Sequence, residues 1–579
     1  MVMTGRRRPR RRKGPVMVLL FLFFASAAAV FFWFYLQRPN MSHETPEYMS
    51  EPHPIMIDGK WSEKAALGEG EGLLIPLEVA QQLLGDGVRY ESGTESIILT
   101  TATRVLHFKT GTLDATLNSK PFELSFAAKK SEDGALYLPF APLKQLFGIQ
   151  ADIGKTSGIV TLHMPGQALQ KAQVPDNAKG GETQLRSGPG RSYPIVEDLP
   201  SGAALTIWGE EEGWYKAQSA EGNIGYVSKK SAVLTSIDQM PSAAEEDEEP
   251  FVAWKLTGKR INLTWEAVYT ANPDTSAIGD LTGVNVVSPT WFELQNGSGQ
   301  IGSKADAGYS AWARSKGMQV WGLVSNGFDP ERTHKALAGY DTRLKMIRQL
   351  LAYAKTFHLQ GINIDFESVK TEDKDNLVQF VREMTPLLHE QGLVVSIDVT
   401  PKSNSELWSL FLDHKRLAES VDYMIVMAYD EHWASSPESG SVASLPWTEN
   451  SLVRILQEDG VPKDKLVLGM PLYTRIWTEK PNGSGGVDVS SKTLGMDSVQ
   501  KLIKEKKLTP RLSEDTGQHY VEFQEDGATK KIWIEDETSI RKRAELVKKY
   551  GLAGAATWRR GFESSNIWAA LDETLQSHP

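Results

Sequence analysis

Asn363, Asp365 and Glu367 recur at every second position of Gly361-Ile362-Asn363-Ile364-Asp365-Phe366-Glu367, a run that is otherwise apolar. In an extended strand, alternate side chains share a face. Ile362, Ile364 and Phe366 then form an apolar face that can pack on a hydrophobic layer, while the amide and both carboxyls point the other way. Burying an unpaired carboxylate costs several kcal/mol or forces a large pKa shift. A strand with a purely structural duty carries Val or Leu at such positions. The structural alternative is a buried salt-bridge network. The chemical reading is general acid–base catalysis. Two carboxyls on one strand face lie about 6–7 Å apart, and the charge on one lifts the pKa of the other. Asp365 then stays ionised and Glu367 holds a proton to give.

Such a pair needs a scaffold that presents one strand end to a cavity. Eight strand-like segments can be marked: 261–265, 284–292, 319–326, 361–367, 393–400, 423–430, 466–473 and 554–558. Helix-like stretches with 3.6-residue periodicity lie between most of them, such as RLKMIRQLLAYAKTF and KDNLVQFVREMTPLLHEQG, the latter closed by Gly392. Strand and helix alternating in eight units predict a (β/α)8 TIM barrel, whose chemistry sits at the C-terminal strand ends. The long gap after strand seven holds two β-rich runs around Asp526-Gly527, which predicts a small inserted β-rich subdomain.

Gln360-Gly361-Ile362-Asn363-Ile364-Asp365-Phe366-Glu367 resembles the strand-four signature of glycoside hydrolase family 18, D-G-x-D-x-D-x-E. The bacterial spore and cell-wall N-acetylglucosaminidase-like branch is the most similar. Ser288-Pro289-Thr290-Trp291-Phe292, Met427-Ala428-Tyr429-Asp430, Gly469-Met470-Pro471-Leu472-Tyr473-Thr474-Arg475 and Gly554-Ala555-Ala556-Thr557-Trp558-Arg559 support the resemblance in the right order. Two positions depart from the signature: Gln360 and Asn363 stand where the family has Asp. Asn363 can hydrogen-bond Asp365 but cannot share a proton with it, which implies an altered pH optimum.

The resemblance implies retaining, substrate-assisted hydrolysis of an N-acetylglucosamine polymer, peptidoglycan or chitin-like, with no cofactor and no metal. It implies Glu367 as general acid/base, Asp365 as the residue that orients the acetamido group, and Tyr429 as a hydrogen-bond donor to the acetamido oxygen. Trp558 would floor the site, and Asn363, Asp430, Tyr473, Arg475 and Trp291 are candidate substrate-binding residues. Ordinary core packing for Trp558 and a structural ion pair for Arg475 are the plainer readings of those two. A catalytically inactive glycan-binding wall protein on the same barrel is the alternative function.

The remainder is built for the outside of a cell. Arg6, Arg7, Arg8, Arg10, Arg11, Arg12 and Lys13 crowd residues 1–14, ahead of 22 uncharged residues at 15–36. About 20 such residues span a bilayer, and a basic flank stays cytoplasmic. Residues 15–36 are therefore expected to be a transmembrane signal anchor. Ala25-Ser26-Ala27 offers the rival, a cleaved signal peptide and a secreted product. Apart from the basic tail the chain has an excess of acids, and the whole has net charge −10, which argues against nucleic-acid binding. The absence of cysteine excludes disulfides, thiolate nucleophiles and zinc-thiolate sites.

Residues 55–165 contain an internal repeat, in which LIPL leads through VAQQLLG and YLPF through APLKQLFG. This α+β unit resembles the copper amine oxidase N-terminal stalk domain; no grouping of histidines suggests copper. Residues 181–235, with LRSGPG, LPSG, GWYK and GYV in order, resemble a bacterial SH3 domain and imply a small SH3-like β-barrel binding the cell wall. Tyr193, Trp214 and Tyr226 are either its ligand surface or its core. An acidic linker is expected at 236–250, and the catalytic barrel at 255–577. Gly297-Ser298-Gly299-Gln300-Ile301-Gly302 matches a dinucleotide-binding pattern, but no acid closes a strand about 20 residues on, as such a fold requires.

Overall fold

The computed structural model describes all residues except 1–16, 19, 24, 27–37, 51, 177–182, 243–250, 254–257, 484 and 577–579. Most of the expected anchor at 15–36 and the basic tail therefore lie outside the described residues. Among the described residues no helix is long and apolar enough to cross a membrane, so the anchor gains no support from the structure.

The chain divides into two compact units: residues 1–85, 110–113 and 124–248 in one, and 86–109, 114–123 and 249–579 in the other. The stretch expected as one stalk domain is thus shared between them.

In the first unit the internal repeat is visible as matched elements. Strands Leu74–Pro76 and Leu136–Pro139 pair antiparallel, with Ile75 opposite Leu138, and each runs into an eight-residue helix ended by Gly85 or Gly148. The SH3-like sheet has seven strands and reaches beyond 181–235. Ala168–Gln173 joins it, paired with Val233–Gln239, so residues 236–239 of the expected linker are strand. Its core is aliphatic, built on Leu185, Leu199, Leu205, Ala217 and Val227. Tyr193 is exposed, and Trp214 and Tyr226 are half-buried, so these aromatics face outward rather than filling the core.

In the second unit eight parallel strands close into a barrel: Ile261–Glu266, Val286–Pro289, Gln319–Ser325, Gly361–Asp365, Val394–Val399, Tyr423–Met427, Leu466–Pro471 and Gly554–Trp558. The second strand pairs with both the first and the third, and the eighth with both the first and the seventh, which completes the ring. The TIM-barrel expectation holds. Period-two alternation splits each strand between two cores. Ile362, Ile364 and Phe366 join the layer between strands and helices, where Phe366 stacks on Phe380 at 5.8 Å. Trp265, Val286, Leu323 and Ile425 fill the interior. Gly361 opens strand four against its neighbour, where a Cβ would stand 2.9 Å from the Val394 carbonyl oxygen.

Between strands seven and eight lies the expected insertion, a five-stranded antiparallel sheet with helix Met496–Glu505. Its central hairpin turns at Asp526-Gly527, both with positive φ (50° and 74°), as a two-residue turn joining twisted strands requires. A second antiparallel sheet, Val88–Glu91 to Lys120–Glu123, belongs to this unit. Glu91 of that sheet and Glu383 of helix Lys374–His389 both receive the buried Arg343 guanidinium at 2.7 Å. Gly297–Gly302, the dinucleotide-like pattern, covers part of the turn and the start of the second strand of a hairpin between 292–294 and 301–303.

Candidate active site

A cavity of about 1010 Å³ opens at the C-terminal strand ends. Trp265 (strand one), Asp365 and Glu367 (strand four and just beyond), Asp398 (strand five), Met427 and Tyr429 (strand six and beyond) and Trp558 (strand eight) all line it. The exposed aromatics Phe328, Trp408 and Trp433 stand around its outer part. Its volume is at the upper end of the roughly 300–1,000 Å³ usual for ligand sites.

Its floor is a hydrogen-bonded lattice. The Asn363 side chain is fully buried. Its Oδ1 accepts from Trp265 Nε1 and Ser288 Oγ, both at 3.0 Å, and its Nδ2 donates to Asp398 Oδ1 at 2.8 Å. The amide is thus spent on other partners rather than on Asp365, and it sits beneath the cavity rather than in its lining, contrary to the sequence expectation. Asn326, at the end of strand three and also fully buried, grips the backbone of Glu367 from both sides: its Nδ2 donates to the Glu367 carbonyl at 2.6 Å and its Oδ1 accepts from the Glu367 N–H at 3.1 Å.

Among the described residues, Asp365, Glu367 and Asp398 form no ion pair. Burial, opposed by a hydrogen bond from Glu367, pushes Asp365 up to about 6. Burial and then the neighbouring Asp365 charge raise Glu367 well above the ordinary carboxyl range. Asp398 is raised likewise, by burial first and by Asp365 second. One Asp365 oxygen, Oδ1, is buried with no hydrogen-bond partner. The arrangement suits proton transfer: acids that hold protons at neutral pH stand beside a carboxyl that ionises more readily, on the wall of an open cavity.

The other expected residues divide. Trp558 lines the cavity, tilted against Trp265 with ring centres 5.9 Å apart. Asp430 and Tyr473 line it too, but Asp430 Oδ1 is already taken by Tyr473 Oη at 2.5 Å and Arg475 Nη2 at 2.8 Å. Arg475 also donates to Thr493 and does not reach the cavity wall, so it serves as a structural ion pair. Trp291 is misplaced by the sequence reading. It is 1% exposed, packs edge-on against Tyr309 and gives its N–H to Asn272 Oδ1 at 2.6 Å. It lies beyond the end of strand two at Pro289, and both it and the next residue, Phe292, pack into the layer between strands and helices.

Asp398, Asn326 and Trp265 were not anticipated as site residues. Asp398 had a signal: Ser396, Asp398 and Thr400 alternate through strand five as Asn363, Asp365 and Glu367 do through strand four. Among the described residues one grouping of possible metal ligands is present, His334 with Glu372 and Asp373. The Asp373 carboxylate is occupied by His334 Nδ1 at 2.9 Å and Asn376 Nδ2 at 2.8 Å, beside the start of helix Lys374–His389.

Comparison with known proteins agrees with this geometry. The profile for glycosyl hydrolases family 18 matches residues 268–563, just over half of the chain. Profiles for the bacterial SH3 domain and the copper amine oxidase N-terminal domain match residues 181–232 and 57–162. An uncharacterised glycosylase of Bacillus subtilis, YvbX, is 27% identical over 315 residues, covering 52% of this chain and 88% of the relative. The cortical fragment-lytic enzyme of Bacillus anthracis is 27% identical over 267 residues, covering 45% of this chain and 60% of the relative. A chitinase structure from Chromobacterium violaceum superposes with TM-score 0.48 at 24% identity, covering 55% of this chain and 100% of that one. A barrel whose fourth strand carries acids without a cation to an open cavity, and whose sequence matches the family profile across nearly all of that barrel, makes this chain a member of glycosyl hydrolase family 18 and a glycoside hydrolase.

Proposed function

We propose that the protein hydrolyses N-acetylglucosamine-containing polymers, peptidoglycan by preference, from the outer face of the cell membrane, held there by residues 15–36 as a single-pass anchor (or secreted if that segment is cleaved). The observation that carries the hydrolase reading is Glu367, a half-buried acid at the wall of an open cavity whose pKa is lifted well above the ordinary carboxyl range by burial and by the neighbouring Asp365 charge.

In this reading Glu367 protonates the glycosidic oxygen. The substrate's own acetamido carbonyl attacks the anomeric carbon as the leaving group departs, so no protein nucleophile is used. Ionised Asp365 accepts the acetamido N–H and stabilises the positive charge that develops, and Tyr429 donates its hydroxyl to the acetamido oxygen. Glu367 then removes a proton from water, which opens the intermediate with retention. Trp558 supplies a face for the sugar ring, and Phe328, Trp408 and Trp433 offer further apolar faces along a polymer. The matched SH3 module, with outward aromatics, suits wall attachment.

Glu367→Gln keeps the side-chain shape and removes the acid. It should lower release of reducing ends from peptidoglycan and chitin oligomers by at least a thousandfold, with glycan binding retained. Full activity in that variant refutes the assignment. A wild-type protein that binds these glycans without any turnover would instead establish the inactive glycan-binding reading.

A further inference from the structure

Asn363 departs from the family signature at the position that would share a proton with Asp365, and the structure directs its amide elsewhere. Two donors, Trp265 Nε1 and Ser288 Oγ, fall on the Asn363 oxygen. That fixes the amide orientation, because the oxygen accepts and the NH₂ group must face the other way. The NH₂ group meets Asp398 Oδ1 at 2.8 Å. One oxygen of Asp398 is thereby committed as an acceptor.

The register of strands four and five places Asp398 further. Asn363 pairs with Ser396 and Ile364 with Ile397, so the next step brings Asp365 opposite Asp398. Adjacent strands lie about 4.8 Å apart, and both residues have the inward parity. Both carboxyls are more than nine-tenths buried, and both contribute to the same cavity wall. Asp365 Oδ1 is the buried oxygen left without a partner. Two buried carboxyls at such a spacing do not both ionise; one keeps the proton.

We propose that Asp398 is a positioning residue that carries a proton and donates it to the unpartnered oxygen of Asp365, so holding Asp365 ionised and correctly turned while its other oxygen serves Glu367 and the substrate. The carboxyl that strand four lacks at Asn363 is thus supplied from strand five. The groups acting on Asp398 divide: burial and the charges of Asp365 and Glu367 from strand four favour the neutral acid, the uncharged donors Asn363 and Trp265 favour the carboxylate and are outweighed, and Asp398 in turn bears on Tyr429 beyond strand six. Burial and the Asp365 charge both keep the Asp398 proton in place.

This inference rests on the hydrolase reading of the site. Its test is the pH profile of kcat and KM on a defined N-acetylglucosamine oligomer, with thermal unfolding of each variant as the folding control. Asp398→Asn retains a donor toward Asp365 and an acceptor toward Asn363. It should keep kcat within about threefold of the parent and leave the acid limb of the profile unmoved. Asp398→Ala removes the donor. It should lower kcat at least tenfold with KM within twofold, and move the acid limb upward by about one pH unit, because Asp365 then ionises less readily.

The proposal is overturned if Asp398→Asn is as impaired as Asp398→Ala, or if Asp398→Asn shifts the acid limb. It is equally overturned if a folded Asp398→Ala loses rate with the acid limb unchanged, the mark of a merely structural contact. Should Asp398→Ala not fold, the Asp398→Asn profile decides alone. If Asp398 were ionised, removing its charge would draw the limb downward. Full activity of Glu367→Gln would defeat the hydrolase reading itself; an unaltered profile in a folded Asp398→Ala would defeat only this proposal.

Discussion

Glu383 and Glu535 are as deeply buried in the catalytic unit as Asp398 and Asp365, yet they are handled in the opposite way. Arg343 reaches Glu383 with two nitrogens, at 2.8 and 2.7 Å, and Arg543 reaches Glu535 at 2.6 and 2.8 Å. Glu266, at the end of strand one, is paired with Arg560. Burial alone would lower the Arg343 pKa, but Glu383 and Glu91 overcome that and hold the guanidinium firmly charged. Burial lifts Glu535, and Arg543 opposes the lift. At the cavity, among the described residues, no guanidinium pairs with Asp365, Glu367 or Asp398. The same low-dielectric interior therefore yields charge locked in place in one region and protons held on acids in the other. Buried carboxylates are not chemistry by themselves; the absence of a cation makes them so.

Removing a cation should break the first region most severely. Arg343→Met leaves Glu383 buried with only the Gln379 amide to receive, and takes from Glu91 one of its two cations, Arg89 remaining at 3.2 Å; breaking a buried pair in this way costs about 3–5 kcal/mol. Denaturant unfolding should show that loss, with little change in the acid limb of the activity profile. An unaltered midpoint would mean that the pair is dispensable and the contrast false.

Removing a carboxyl from the second region should act in the opposite direction. A folded-state pKa raised to about 6 means that the stability linked to Asp365 is present below the unfolded value near 4 and is lost as pH rises through 6. Asp365→Asn should therefore be more stable than the parent above pH 6, by about 2–3 kcal/mol, and equal to it near pH 4, while losing activity. Unfolding curves at the two pH values check the sign; a variant destabilised at both would show that Asp365 is a structural group like Glu383.

The smallest effect sharpens the boundary between the regions. Asn326 carries no charge but clamps the backbone of Glu367. Asn326→Ala should lower kcat about tenfold, near 1.4 kcal/mol, by loosening the aim of the acid. Unchanged kcat would show that Glu367 is positioned by its strand alone.

Much of this was legible locally. Period-two alternation placed Asp365 and Glu367 inward and Ile362, Ile364 and Phe366 outward, and all five lie as that rule requires. The same rule, applied to strand five, would have brought in Asp398; it could not place Trp291, which lies past the strand end at Pro289 and packs with Phe292 into the helical layer. The strand-and-helix rhythm was equally readable, because each element's periodicity is a property of its own residues. The extension of the SH3-like sheet to Ala168–Gln173 was not, since strand pairing across about 60 residues leaves no local pattern.

What the sequence determined by itself is the kind of element each segment forms and the face each side chain takes, for these follow from backbone periodicity and the hydrophobic pattern. What the tertiary structure alone decided is partnership: that Asn363 gives its amide to Asp398, that Asp365 stands opposite that acid, that Arg343 reaches two carboxylates and that Asp365, Glu367 and Asp398 form no ion pair among the described residues. Partnership depends on barrel closure and strand register, which bring together residues tens to hundreds of positions apart, and it is partnership that settles where a buried proton stays.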